Sequence, residues 1–79
     1  MTHMTLEECV RGNLEKYFRD LHGEDASNVY DMVLAAVERP MLDVVLRQAD
    51  GNQSLAAGML GINRNTLRKK LLEHKLIRG

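Results

Sequence analysis

The twenty-one residues from Gly51 to Leu71 leave this chain little freedom in how it folds. They read as two short helices joined by a tight turn. Asn52 is placed to cap the first helix, because its side-chain oxygen can accept a free amide of the first turn. Ala56 and Leu60, four residues apart, face inward with Met59 beside them. Ala57 is small where the second helix must pass close. Gly61 falls where the turn needs a left-handed residue, and Ile62 plugs the corner. Asn63 caps the second helix, which Leu67 and Leu71 hold down. Small residue, glycine turn, apolar corner and apolar anchors, in that order, form a helix-turn-helix pattern.

The outward face of the second helix gives the pattern its meaning. With Leu67 and Leu71 inward, Asn65 and Lys69 point outward, Arg64 and Arg68 flank one side, and Thr66 and Lys70 the other. Donor-rich side chains of this kind suit guanine edges and phosphates in a DNA major groove. Asn63 and Arg64, at the helix start, are expected to reach base edges: arginine grips guanine with two bonds, and asparagine pairs with adenine. Thr66, Arg68, Lys69 and Lys70 are expected to hold phosphates. So are Asn52, Gln53 and Ser54, at the start of the first helix, where free amides favour anions. The bland alternative is a basic helix solvated on an ordinary bundle. Charge distribution weighs against it. Residues 1–50 hold five Lys/Arg against ten Asp/Glu, whereas residues 51–79 hold six Lys/Arg against Glu73 alone. The net charge of zero hides a cationic end, suited to a polyanion, on an acidic body.

Upstream, two longer helices are expected after a frayed start at residues 1–5. The first, α1, spans 6–21: Leu6, Val10, Leu14, Tyr17, Phe18 and Leu21 recur at helical spacing and read as core. Thr5 and Glu8 fit a capping box, and His22-Gly23 ends the helix. The second, α2, spans 29–49 with Asn28 as its cap. Its apolar residues surround most of its circumference, so it must be buried on most sides. A 79-residue monomer has too few elements to cover a helix about 30 Å long. The expected remedy is an intertwined homodimer whose core is Tyr30, Val33, Leu34, Val37, Met41, Val44 and Val45 of each chain, wrapped by α1. Pro40 removes an amide in mid-helix and crowds the carbonyl of Ala36; apolar character on both sides favours a kink there over a break. The expected fold is all-α, with a helical dimerisation region at 6–50 and a DNA-binding region at 51–79. The latter holds α3 (53–60) and α4 (64–73), and a basic tail whose Leu76 and Ile77 either dock or fray.

Other function classes find little support. His3, His22 and His74 are scattered, with no cysteine or carboxylate at metal-ligand spacing, so no metal or cofactor is expected. Ser27 and Ser54 have no base partner and no glycine-rich phosphate loop follows a strand, so no enzyme and no small-molecule substrate are expected. Cys9, the single cysteine, fits a reducing compartment and is expected to pack as a small apolar residue. No signal peptide or membrane span is apparent, and the protein is expected to be cytoplasmic.

Gly51-Asn52-Gln53, Gly61-Ile62-Asn63-Arg64 and Thr66-Leu67-Arg68-Lys69-Lys70-Leu71 resemble the DNA-binding end of the Fis family, the factors for inversion stimulation. That end also occurs in enhancer-binding transcription activators. Tyr17-Phe18, Leu21, Gly23, Tyr30, Val33-Leu34-Ala35, Val37-Glu38 and Pro40 resemble Fis at matching spacing, so the likeness runs from about Leu6 to His74. The resemblance implies a homodimeric, nucleoid-associated transcription regulator and so places the protein at the bacterial nucleoid. It implies DNA contacts at Asn63, Arg64, Thr66, Arg68, Lys69, Asn52, Gln53 and Ser54, and a kink at Pro40 in a long helix. It also implies recognition helices held closer than one DNA turn of about 34 Å, so that bound DNA must bend. Asn65 replaces a glycine of the best-known Fis pattern and adds a polar group facing the groove, which should alter base preference. Leu55 replaces an arginine, and Leu72 and Glu73 lysines, which should reduce contact with flanking DNA and hence wrapping and bending. Only about five residues precede α1, so the recombinase-contacting arm of Fis, and recombinase activation with it, are not expected. The remaining alternatives are a helix-turn-helix domain of an activator and a helical dimerisation module without a nucleic-acid partner.

Overall fold

The structure, a computed structural model, describes residues 3–79; the first two residues of the expected frayed start lie outside it. Four helices follow in order: α1 at Leu6–Asp20, α2 at Val29–Gln48, α3 at Gln53–Leu60 and α4 at Arg64–Glu73. No strand occurs among the described residues, and the protein is all-α. The chain forms two compact units, one ending at Val33 and the other spanning Leu34–Gly79.

In the N-terminal unit, Thr5 takes an extended conformation and its Oγ1 accepts the Glu8 amide at 3.1 Å. This is half of the expected capping box: Glu8 makes the bond through its backbone only. Glu7 with Arg11, and Lys16 with Asp20, form exposed pairs one turn apart at 2.8 and 2.7 Å, each worth a few tenths of a kcal/mol. α1 stops one residue before the expected end, because Leu21 caps it and the chain then turns through His22 at φ 50° and Gly23 at φ 87°. Two expectations need correction. Cys9 is exposed rather than packed: it lies off the apolar stripe, where the Asn13 amide donates to its carbonyl at 2.8 Å. Asn28 is not an extended cap; it sits at φ 55° and contributes only its carbonyl, which accepts the Met32 amide at 3.0 Å.

The C-terminal unit carries the core. Leu42 and Ala49 of the α2 segment, Ala56 and Ala57 of α3, and Leu67 and Leu71 of α4 are buried together. Val45, Leu46, Leu60, Ile62, Leu76 and Ile77 pack around them half-buried. Each of the three fully buried leucines contributes about 1.5–3 kcal/mol of burial. The second half of α2 thus packs as a third helix on the helix-turn-helix, in the compact unit that spans Leu34–Gly79. The tail docks through Leu76 and Ile77. Met59 does not face inward as expected: Ala56, Ala57 and Leu60 take the inner side of α3, and Met59, about a third of a turn away, is exposed.

α2 runs unbroken through Pro40, as a kink allows and a break does not. It ends at Gln48, one residue short of expectation, where Asp50 at φ 52° and Gly51 at φ 81° reverse the chain. The Gly51 amide reaches back to the Leu46 carbonyl at 2.9 Å. α3 and α4 close by the same device. The Ile62 amide donates to Ala57 at 3.1 Å past Gly61 at φ 74°, and the Leu76 amide donates to Leu71 at 2.9 Å past Lys75 at φ 58°.

Candidate nucleic-acid interface

Both helices of the turn motif start on an asparagine. Asn52, at φ −77° and ψ 105°, accepts the Leu55 amide on Oδ1 at 3.1 Å. Asn63, at φ −67° and ψ 141°, accepts the Asn65 amide on Oδ1 at 2.7 Å. The caps fix where each helix begins. They leave the Gln53 and Ser54 amides of α3 without intrahelical partners, which is the arrangement an anion uses.

α4 has two unlike sides. Leu67 and Leu71 are buried against the core, while Arg64, Asn65, Thr66, Arg68 and Lys69 are exposed. Ten residues make a rod about 15 Å long, which fits within one major groove. Asn52 and Ser54 are exposed and Gln53 half-buried at the start of α3. Asn63, Arg64, Thr66, Arg68, Lys69, Asn52, Gln53 and Ser54 therefore all sit at or near the surface of the helix-turn-helix.

Lys70 differs. Its Nζ lies 2.8 Å from Oε2 of Glu38 on α2, and Nε2 of His74 donates to Oε1 of the same carboxylate at 2.8 Å. Arg39 adds a bond from Nη1 to the His74 carbonyl. The Lys70 bond, and then the His74 bond, hold the Glu38 carboxyl below its ordinary value of 4.5, against the opposing effect of burial. Sequence reading missed this cluster. One signal was present: a carboxylate four residues before Leu42 on a largely apolar helix needs a partner.

The expected dimer core is not buried within the single chain. In the C-terminal unit, Leu34, Met41 and Val44 are 43%, 45% and 48% exposed, with Val37 and Val45 half-buried. In the N-terminal unit, Tyr30 is 77% exposed and Val33 half-buried. Among the described residues, no group of three His, Cys, Asp or Glu could hold a metal ion, and no helix is long and apolar enough to cross a membrane.

The Fis family of bacterial regulatory proteins matches the sequence over residues 33–74. A Fis-like DNA-binding protein of Ralstonia nicotianae is 60% identical over 77 residues, covering 98% of this chain and 100% of that one. A Fis-like DNA-binding protein of Neisseria meningitidis serogroup B is 57% identical over 72 residues, 91% of each chain. The DNA-binding protein Fis of Actinobacillus succinogenes is 51% identical over 74 residues, 94% of this chain and 75% of that one.

Proposed function

This chain belongs to the Fis family of bacterial regulatory proteins, and from that premise we propose that it is a homodimer that binds and bends double-stranded DNA to regulate transcription. The observation that carries the reading is the outward side of α4, where Arg64, Arg68 and Lys69 are exposed on a helix locked from behind by Leu67 and Leu71. The DNA binding in its relatives' names supports it. The likeness to the Ralstonia relative covers 98% of the chain, so it is not confined to the helix-turn-helix that activators share. The family is one of regulators, and no catalytic or cofactor role enters the reading.

Arg64 reads a guanine edge from the first turn of α4. Asn63 spends Oδ1 on its cap, so its Nδ2 donors meet a base or phosphate acceptor in place of two-bond adenine pairing. Thr66, Arg68 and Lys69, with Asn52, Gln53 and Ser54, position the protein on phosphates. Lys70 stands apart, its Nζ held by Glu38. The dimer forms through α2. Tyr30, Leu34, Val37, Met41 and Val44 are spaced by four, three, four and three residues, the spacing of a helix-pairing seam, and Val33 and Val45 flank it. A kink at Pro40 redirects the second half of α2, and with it the reading helix. Two reading helices on one dimer bend the duplex, and preference arises partly from deformability of untouched base pairs. The place of work is the bacterial nucleoid.

Gel shifts across a salt series test the reading. Affinity is expected to fall steeply as salt rises, through counterion release. A chain that shifts no duplex at low salt is a helical dimerisation module instead, and the reading is wrong.

A further inference from the structure

Glu38 belongs to α2, not to the helices of the turn motif, yet one of its carboxylate oxygens takes a partner from α4 and the other from His74, the C-cap of α4. The Glu38 and His74 side chains are 12% and 13% exposed and that of Lys70 is 32% exposed, so the carboxylate is shielded from water while the lysine keeps part of its surface in it. Lys70, in the last turn of α4, and His74, its C-cap, are four residues apart on one side, which brings both to a single carboxylate. The neighbouring Arg39 holds the backbone carbonyl of His74. Two successive residues of α2 therefore grip the C-terminal end of α4, one through side chains and one through the main chain.

We infer that Glu38 is a positioning residue for the DNA-reading helix: it seats α4 on α2 and keeps the Lys70 charge on protein rather than phosphate. The inference rests on the proposed DNA-binding function. Its physical basis is counterion release. A lysine that meets a phosphate displaces a condensed cation from DNA, whereas one already neutralised by a poorly hydrated carboxylate has little charge to offer. The run Arg68-Lys69-Lys70 then presents two cations to the duplex, where its sequence suggests three.

The test is the slope of log affinity against log salt, measured with the full chain on a mixed-sequence duplex. Lys69→Met sets the reference and is expected to shallow the slope by about 0.9 per bound protomer. Lys70→Met is expected to change it by a small fraction of that in the native background, and by the full reference amount in a Glu38→Gln background. Glu38→Gln alone, by freeing Lys70, is expected to steepen the slope. A role of Glu38 confined to stability would lower the melting temperature and leave the slope alone. Equal shallowing by Lys70→Met in both backgrounds overturns the inference. If circular dichroism shows that Glu38→Gln does not fold, Lys69→Met against Lys70→Met still decides: an equal or larger effect of Lys70→Met overturns the inference, and a much smaller one supports it. A native chain that shifts no duplex removes the DNA reading itself, an outcome distinct from the others.

Discussion

At the scale of single residues, two positions with the same backbone demand carry different side chains. Gly61 and Lys75 each close a helix in the left-handed region, at φ 74° and 58°. Nothing lies within 4 Å of a Cβ built at Gly61, so a side chain there costs only its backbone strain. Gly61→Ala is expected to destabilise by about 1 kcal/mol and Lys75→Gly to stabilise by a similar amount, read from paired thermal melts. The glycine was legible in the sequence, because a helix-turn-helix calls for one there; the strained lysine was not, because any residue could have ended α4. The proposed base and phosphate roles are separable at this scale too. Arg64→Ala is expected to cost about 1–3 kcal/mol of binding and relax preference at one base; Lys69→Ala should weaken all sites alike. Affinities on a panel of single-base site variants distinguish the two patterns, and identical patterns would show the roles to be misassigned.

At the scale of elements, α4 depends on two unlike attachments. One is apolar: Leu71 is fully buried in a core of few large side chains, and Leu71→Ala is expected to cost about 2–5 kcal/mol. A core of this size supplies roughly 3–5 kcal/mol alone, so the variant should lose its cooperative melt unless dimerisation rescues it. The other attachment is polar and depends on pH. Because the Glu38 carboxyl is held below 4.5 by Lys70 and then His74, its stabilising effect is present above that value and lost as pH falls through the lower folded one. The stability gap between the native chain and Glu38→Gln is therefore expected to hold above pH 4.5 and shrink below it. Denaturant titrations on both sides of that pH measure the gap, and one that widens in acid would contradict the assignment. The helices themselves were visible as apolar spacing and caps. The clasp was not, because its residues lie 32 and 36 positions apart and carry no shared local pattern.

At the scale of the whole molecule, the exposed apolar side of α2 is the largest unmet demand. Leu34, Met41 and Val44 keep nearly half of their surface in water, a cost a second copy would remove. Sedimentation is expected to give twice the 9.0 kDa chain mass, about 18 kDa, and Met41→Glu is expected to return the mass to that of one chain while weakening DNA binding sharply. A monomeric native chain at micromolar concentration would remove the dimer from the proposal. The sequence by itself determined what is local: the two asparagine caps, the glycine turn, the helix spacing and the surplus of cations after residue 50. These are legible because helix start, stop and facing depend on residues within a turn or two of each other. Only the tertiary structure decided that the second half of α2 completes the helix-turn-helix core, that Leu76 and Ile77 dock, and that Lys70 turns to Glu38. Those outcomes depend on how segments distant in sequence pack and on which charges lose their water together, and no spacing along one helix records either.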